Sequence, residues 1–103
     1  MASFYNEQGI SRIKMFGKVH CFCPLGGDWY DADIDVELSP ADTIMDYCDV
    51  DKFFDSLNGD NLIIEDVVSR VFNYFCVYYP SDLSVTAKVD NGAHLPVEVT
   101  KSM

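Results

Sequence analysis

The chain has 103 residues, 49% of them hydrophobic, and a formal net charge of -10 at neutral pH. This apolar content and length predict one folded domain spanning residues 1–103 and exclude a disordered acidic tail. The negative charge repels phosphate backbones, so direct nucleic-acid binding through a basic surface is not expected. Because the sequence shows neither a bilayer-length apolar run nor a signal peptide, the expected location is the cytoplasm, with no membrane association and with reduced cysteines.

The acidic residues are concentrated in the middle of the chain. Thirteen of the 17 carboxylates lie between Asp28 and Asp66, where Lys52 is the one basic residue. Partners of such a protein should be cationic, or small and buried, because net charge governs association more directly than it governs fold.

The first half of the chain predicts two strands joined by a turn at residues 24–28. Residues 10–23 alternate in polarity, and Gly17 is expected to shift that alternation as a β-bulge would. After the turn, apolar residues alternate with acidic ones as far as residue 38. The acids share the outer face of a strand that we take for an edge strand. They form the acidic row, which consists of Asp31, Asp33, Asp35 and Glu37.

Two helices follow. Residues 39–42 fit either a capped helix start or a loop. Apolar residues recurring every three or four positions predict a helix that ends at Asn58-Gly59 and a second that begins near Asp60 or Asn61. The second helix should break before Pro80, since the residue preceding a proline favours extended geometry.

Residues 83–89 and 95–100 alternate as two more strands, with Asn91-Gly92 as the turn of a hairpin. The element order is therefore ββααββ. It predicts an α+β fold in which two helices pack on one face of a four-stranded antiparallel sheet.

This order resembles the tunnelling fold, given Cys23-Pro24 and Gly27 after the first strand, Asp46-Tyr47 after the second, and Glu65 in the second helix. The superfamily includes 7-cyano-7-deazaguanine nitrile reductases, carboxytetrahydropterin synthases and dihydroneopterin aldolase. In spacing the sequence is most similar to the nitrile reductase group with its archaeal amidinotransferase relatives. The resemblance implies a homo-oligomer that binds a purine- or pterin-like molecule at a subunit interface.

The sequence also departs from the reductase pattern. Where those enzymes place a catalytic aspartate seven residues after the cysteine, this chain has Tyr30, with Asp28 and Asp31 on either side. The histidine that usually precedes the anchoring glutamate is Ile64. Their cofactor-contacting segment is replaced by residues 46–49, so no cofactor is expected.

Cys23 is the candidate nucleophile, because a thiol at a strand end beside a turn is exposed enough to attack an electrophilic carbon such as a nitrile. Asp28 or Asp31 would then carry protons. The alternative is that Cys23, like Cys21, is a small apolar residue of the core, which is the commoner role of cysteine.

Glu65 is the candidate ligand anchor, since the resemblance implies a glutamate that hydrogen-bonds the guanidine-like edge of a base. It could equally serve the dipole at the start of a helix.

A metal site is not expected. His20, Cys21, Cys23 and His94 have donor types that suit zinc, but neighbouring strand residues point to opposite faces. The acidic row does not fit an EF-hand either, because Val36 and Asp42 stand where glycine and glutamate are required.

Two functional hypotheses follow. In the first, the protein is an enzyme or a degenerate enzyme of the tunnelling fold, with Cys23 and Glu65 in its site. In the second, it is a small acidic interaction protein, such as an inhibitor or nucleic-acid mimic, that presents the acidic row to a basic protein surface.

Overall fold

The computed structural model describes residues 3–90 and 94–103. The elements, in chain order, are β1 (Ser3–Tyr5), β2 (Ile13–Cys23), β3 (Asp28–Leu38), β4 (Thr43–Met45), α1 (Tyr47–Leu57), α2 (Ile64–Cys76), β5 (Ser84–Val89) and β6 (Val97–Ser102). Within the described ranges, no helix combines the length and apolar character needed to cross a bilayer.

The main sheet is four-stranded and antiparallel, in the order β2-β3-β5-β6, and both helices pack on one of its faces. Alternate residues of the strands point at the helices, so Val19, Ile34, Val36 and Val85 are fully buried. The predicted α+β architecture is confirmed. β5 and β6 pair as expected, whereas the predicted turn at residues 91–92 lies outside the described residues.

The long hairpin of β2 and β3 has one continuous register, from Ile13 opposite Leu38 to Cys23 opposite Asp28. The predicted bulge at Gly17 is therefore wrong. Gly17 instead faces α1, where an added Cβ would lie 3.1 Å from ring atoms of Phe54. The glycine permits the close approach of α1 to β2 without interrupting the ladder.

Residues 39–42 form a loop, which decides between the two readings of the sequence. The loop leads into β4, which pairs with β1 in a small second sheet that the sequence did not predict. The Asn6 backbone N–H donates to the Asp42 carbonyl at 2.8 Å and holds the two segments together. α1 then begins at Tyr47, where Asp46 caps it by accepting from the Cys48 N–H at 2.9 Å.

The second helix begins at Ile64, later than the sequence predicted. The preceding residues run alongside β2, because the Phe22 N–H donates to the Asp60 carbonyl and the Leu62 N–H to the Phe22 carbonyl, both at 3.0 Å. Pairing with β2 thus keeps Asp60 to Leu62 extended. Gly59, with φ of 85°, makes the turn out of α1 that this path requires.

Candidate functional site

An open cavity of about 810 Å³ lies where the β2–β3 hairpin, the start of α2 and the residues around the start of β6 meet. β3 is longer than its partner, since β5 pairs with Asp33 to Glu37 and leaves residues 28–32 uncovered on that side. The uncovered part of β3 forms a notch in the sheet. The polar side chains that line the cavity belong to Cys23, Asp28, Tyr30, Glu65, His94 and Glu98.

Cys23 and Asp28 form the last pair of the β2–β3 ladder. Directly opposed residues of an antiparallel pair present their side chains to the same face, with Cβ atoms about 5 Å apart. The Cys23 side chain is half-buried, and its Sγ accepts a hydrogen bond from the Gly26 N–H at 3.4 Å. A carboxylate on the same face as a thiol can accept its proton, and a backbone N–H that donates to the sulfur stabilises the thiolate. This arrangement is suited to nucleophilic attack by the sulfur.

Glu65 comes from the opposite wall, in the first turn of α2. Its side chain is exposed at the cavity, whereas Asp66, the next residue, does not line it. The N-cap residue Ile63 provides no side-chain hydrogen bond. Glu65 is therefore in a position to meet a bound molecule as well as the helix dipole.

Asp31 lies on the other face of the sheet and does not reach the cavity. Its Oδ1 is 2.7 Å from Nδ1 of His20, and the His20 ring stacks on Trp29 with centroids 4.9 Å apart. Of the two candidate proton carriers, the structure brings only Asp28 to Cys23. The strand alternation explains this, because Asp28 shares its side with buried Ala32 and Ile34.

Tyr30 lies on the inner face of the sheet, lines the cavity with Cys23 and Glu65, and is 7% exposed. Its hydroxyl donates to the Leu62 carbonyl, and burial raises the pKa of this hydroxyl well above its usual range. Cys21 is fully buried nearby, where its Sγ donates to the Leu57 carbonyl at 3.3 Å. Burial, followed by the charge of Asp60, also raises the pKa of the Cys21 thiol. Both groups therefore hold their protons to higher pH than they would in water.

This burial predicts a loss of stability in alkali. Because the Tyr30 pKa is higher in the folded than in the unfolded chain, the folded state holds its proton more tightly. The stabilisation is complete below the unfolded value of about 10 and declines as pH rises above it. We expect denaturant titrations to give a free energy of unfolding that falls from about pH 10 to about pH 11, and less steeply for Tyr30→Phe. Equal slopes for the two proteins would contradict this.

The acidic row lies on an interior strand of the sheet, so its interpretation as an edge strand was wrong. Each of its acids has a basic partner on a neighbouring strand or just before one. The pairs are Arg12–Glu37 at 2.6 Å, Lys18–Asp33 at 3.6 Å, His20–Asp31 at 2.7 Å and Lys88–Asp35 at 3.4 Å. Because three of the four partners are arginine or lysine, the row presents less uncompensated charge than the sequence suggested, and exposed pairs of this kind add little stability.

The four zinc-type donors do not converge. His20 lies on the outer face, Cys21 is buried, and Cys23 and His94 line the cavity. In residues 3–90 and 94–103, no three His, Cys, Asp or Glu side chains are grouped as metal ligands.

Two residues that line the cavity, His94 and Trp29, were not predicted from the sequence to do so. His94 was considered for zinc alone, yet it lines the cavity with its Nδ1 2.7 Å from the Leu95 carbonyl. Trp29, the single tryptophan of the chain, also lies at the cavity. The alternation of β3 pointed Trp29 outward, and no local pattern places residues 94–96 beside β3.

No family model and no curated protein sequence matches this chain. Among solved structures, the crystal structure of a QueF-like archaeosine synthase in its apo form is similar, with a TM-score of 0.80. The similarity covers 89% of this chain and 92% of that chain, at 19% sequence identity. The chain has the QueF-like tunnelling fold. The resemblance that the sequence suggested is thereby confirmed for the fold.

Proposed function

We propose that this protein binds a deazapurine, or a related purine- or pterin-like base, in the cavity and forms a covalent bond to a nitrile carbon through Cys23. The observation that carries the proposal is the meeting of Cys23, Asp28 and Glu65, from three different elements, at one cavity. The archaeosine synthase likeness supports it, since the name of that enzyme denotes synthesis of a deazapurine nucleoside.

One wall of the cavity binds the base through Glu65, and the opposite wall holds the nucleophile Cys23. The Glu65 carboxylate accepts paired hydrogen bonds from the guanidine-like edge of the base. Apolar side chains, among them Ile63, Val89 and Val97, provide the surface on which a flat ring packs. The nitrile then points toward Cys23 at the end of the β2–β3 ladder.

The covalent step is an addition that balances without an oxidant or reductant. Asp28 accepts the thiol proton, the Cys23 sulfur bonds to the nitrile carbon, and one carbon–nitrogen π bond breaks. The nitrogen takes up the proton from Asp28, which leaves a thioimide on the protein.

The open side of the cavity fits the homo-oligomer implied by the resemblance. Leu25 and Leu95 stand at its mouth with 83% and 75% of their surface exposed. A second copy placed against these residues would cover the bound base.

The test is to incubate the protein with 7-cyano-7-deazaguanine and measure its intact mass. We expect the mass to rise by one ligand, together with an absorbance change, and Cys23→Ala to abolish both. Cys48→Ala is the matched control, because this exposed cysteine lies on α1, away from the cavity, and its loss should leave the adduct unchanged.

Alkylation gives an independent measurement. The nitrile should protect Cys23 from iodoacetamide while Cys48 in the same molecule reacts at its usual rate. Absence of both adduct and protection would reject the proposal.

A further inference from the structure

Residues 59–62, the segment that leads into α2 and Glu65, are held by two sets of hydrogen bonds: backbone bonds to β2 and a side-chain bond from β3. Along β2, backbone hydrogen bonds join Gly59 to the His20 carbonyl at 2.8 Å and Leu62 to the Phe22 carbonyl at 3.0 Å. Among the backbone hydrogen bonds between this segment and β2, none is accepted by the Leu62 carbonyl, and α2 begins two residues further on.

Tyr30 provides the side-chain hydrogen bond. It reaches from β3, across the inner face, and its hydroxyl donates to the Leu62 carbonyl. Both residues are buried, with Tyr30 7% and Leu62 4% exposed, so water is a poor substitute for this hydrogen bond. Tyr30 also lines the cavity, together with Cys23 and Glu65.

We infer that Tyr30 is a positioning residue, which sets the affinity for the base by fixing the start of α2 and hence the placement of the Glu65 carboxylate. This inference rests on the proposed function for its ligand and on the Tyr30–Leu62 contact for its mechanism. Tyr30 takes no part in the bond formed at Cys23. It therefore affects the concentration of nitrile that half-saturates the protein and leaves the rate of addition at saturation unchanged.

Tyr30→Phe tests this, because it keeps the ring in the core and removes only the hydroxyl. We expect the half-saturating nitrile concentration to rise about tenfold, while the maximal rate of adduct formation changes less than about twofold. In a Glu65→Gln background the same substitution should have little further effect, because the affinity it controls acts through Glu65. Tyr79→Phe, at a buried tyrosine that does not line the cavity, is the control.

Hydrogen exchange tests the mechanism without any ligand. In Tyr30→Phe the amides of Phe22, Leu62 and Val67, which bond across or within this segment, should exchange about tenfold faster. Amides of β5 should keep their wild-type rates.

The outcomes separate the two proposals. If wild-type protein forms no adduct, the proposed function fails and hydrogen exchange still decides the role of Tyr30. Unchanged exchange in the segment, or a full tenfold effect persisting in the Glu65→Gln background, would overturn the positioning role.

Discussion

Glu65→Gln is expected to weaken binding of 7-cyano-7-deazaguanine about a hundredfold while leaving the fold intact. Glutamine keeps the length and shape of the side chain but loses the charge, and it turns one acceptor into a donor that faces the donors of the base. Charge-assisted hydrogen bonds contribute about 1.5–3 kcal/mol each, so disrupting the pair should cost about 3 kcal/mol.

Asp66→Asn is the matched control for this prediction. Both acids lie in the first turn of α2, so both substitutions remove one charge from the same end of the helix dipole. Asp66 does not line the cavity. Binding can be followed through the fluorescence of Trp29, the single tryptophan, which does line it. Equal losses in both variants would assign Glu65 to the helix alone.

The sequence predicted the main sheet well because its signal is local. In β3 the alternation of apolar and acidic residues fixes which side each residue takes, and the structure follows it throughout. The same alternation could have separated the two candidate proton carriers. Asp28 shares the parity of Ala32 and Ile34, whereas Asp31 has the opposite parity.

The features that the sequence did not predict depend on contacts between distant segments. The partners of the acidic row are set by the register of β2 and β5 against β3, so its charge compensation has no local signature. The late start of α2 likewise results from pairing with Phe22, because Asp60 and Asn61 alone look like a helix start. β1 and β4 are too short to show any periodicity.

The residues of the cavity could be predicted in part from local sequence, but their arrangement depends on contacts between distant segments. Cys23, Asp28 and Glu65 could be chosen from residue type and resemblance. Their meeting required the notch left by the shorter β5, and the hydroxyl of Tyr30 bound to Leu62 required the extended segment before α2. These are properties of the assembled fold and are not encoded in any short stretch of sequence.

Phe75→Ala should lower the free energy of unfolding by about 4 kcal/mol, the usual scale for removing a buried aromatic ring from a core. Phe75 is the largest of the fully buried side chains in the described ranges, and Tyr74 packs edge-on to it with centroids 5.1 Å apart. The cavity left behind would lie on the buried side of α2, where neighbouring side chains have few directions in which to collapse.

Val77→Ala, just past the end of α2, is the control for this stability measurement. Its side chain is 77% exposed, so its truncation should cost less than about 0.5 kcal/mol in the same denaturant titration. A cost below about 1 kcal/mol for Phe75→Ala would mean that the packing of α2 does not depend on the buried Phe75 ring. Because α2 also carries Glu65, such a result would argue against the rigid placement of Glu65 on which the proposed binding site depends.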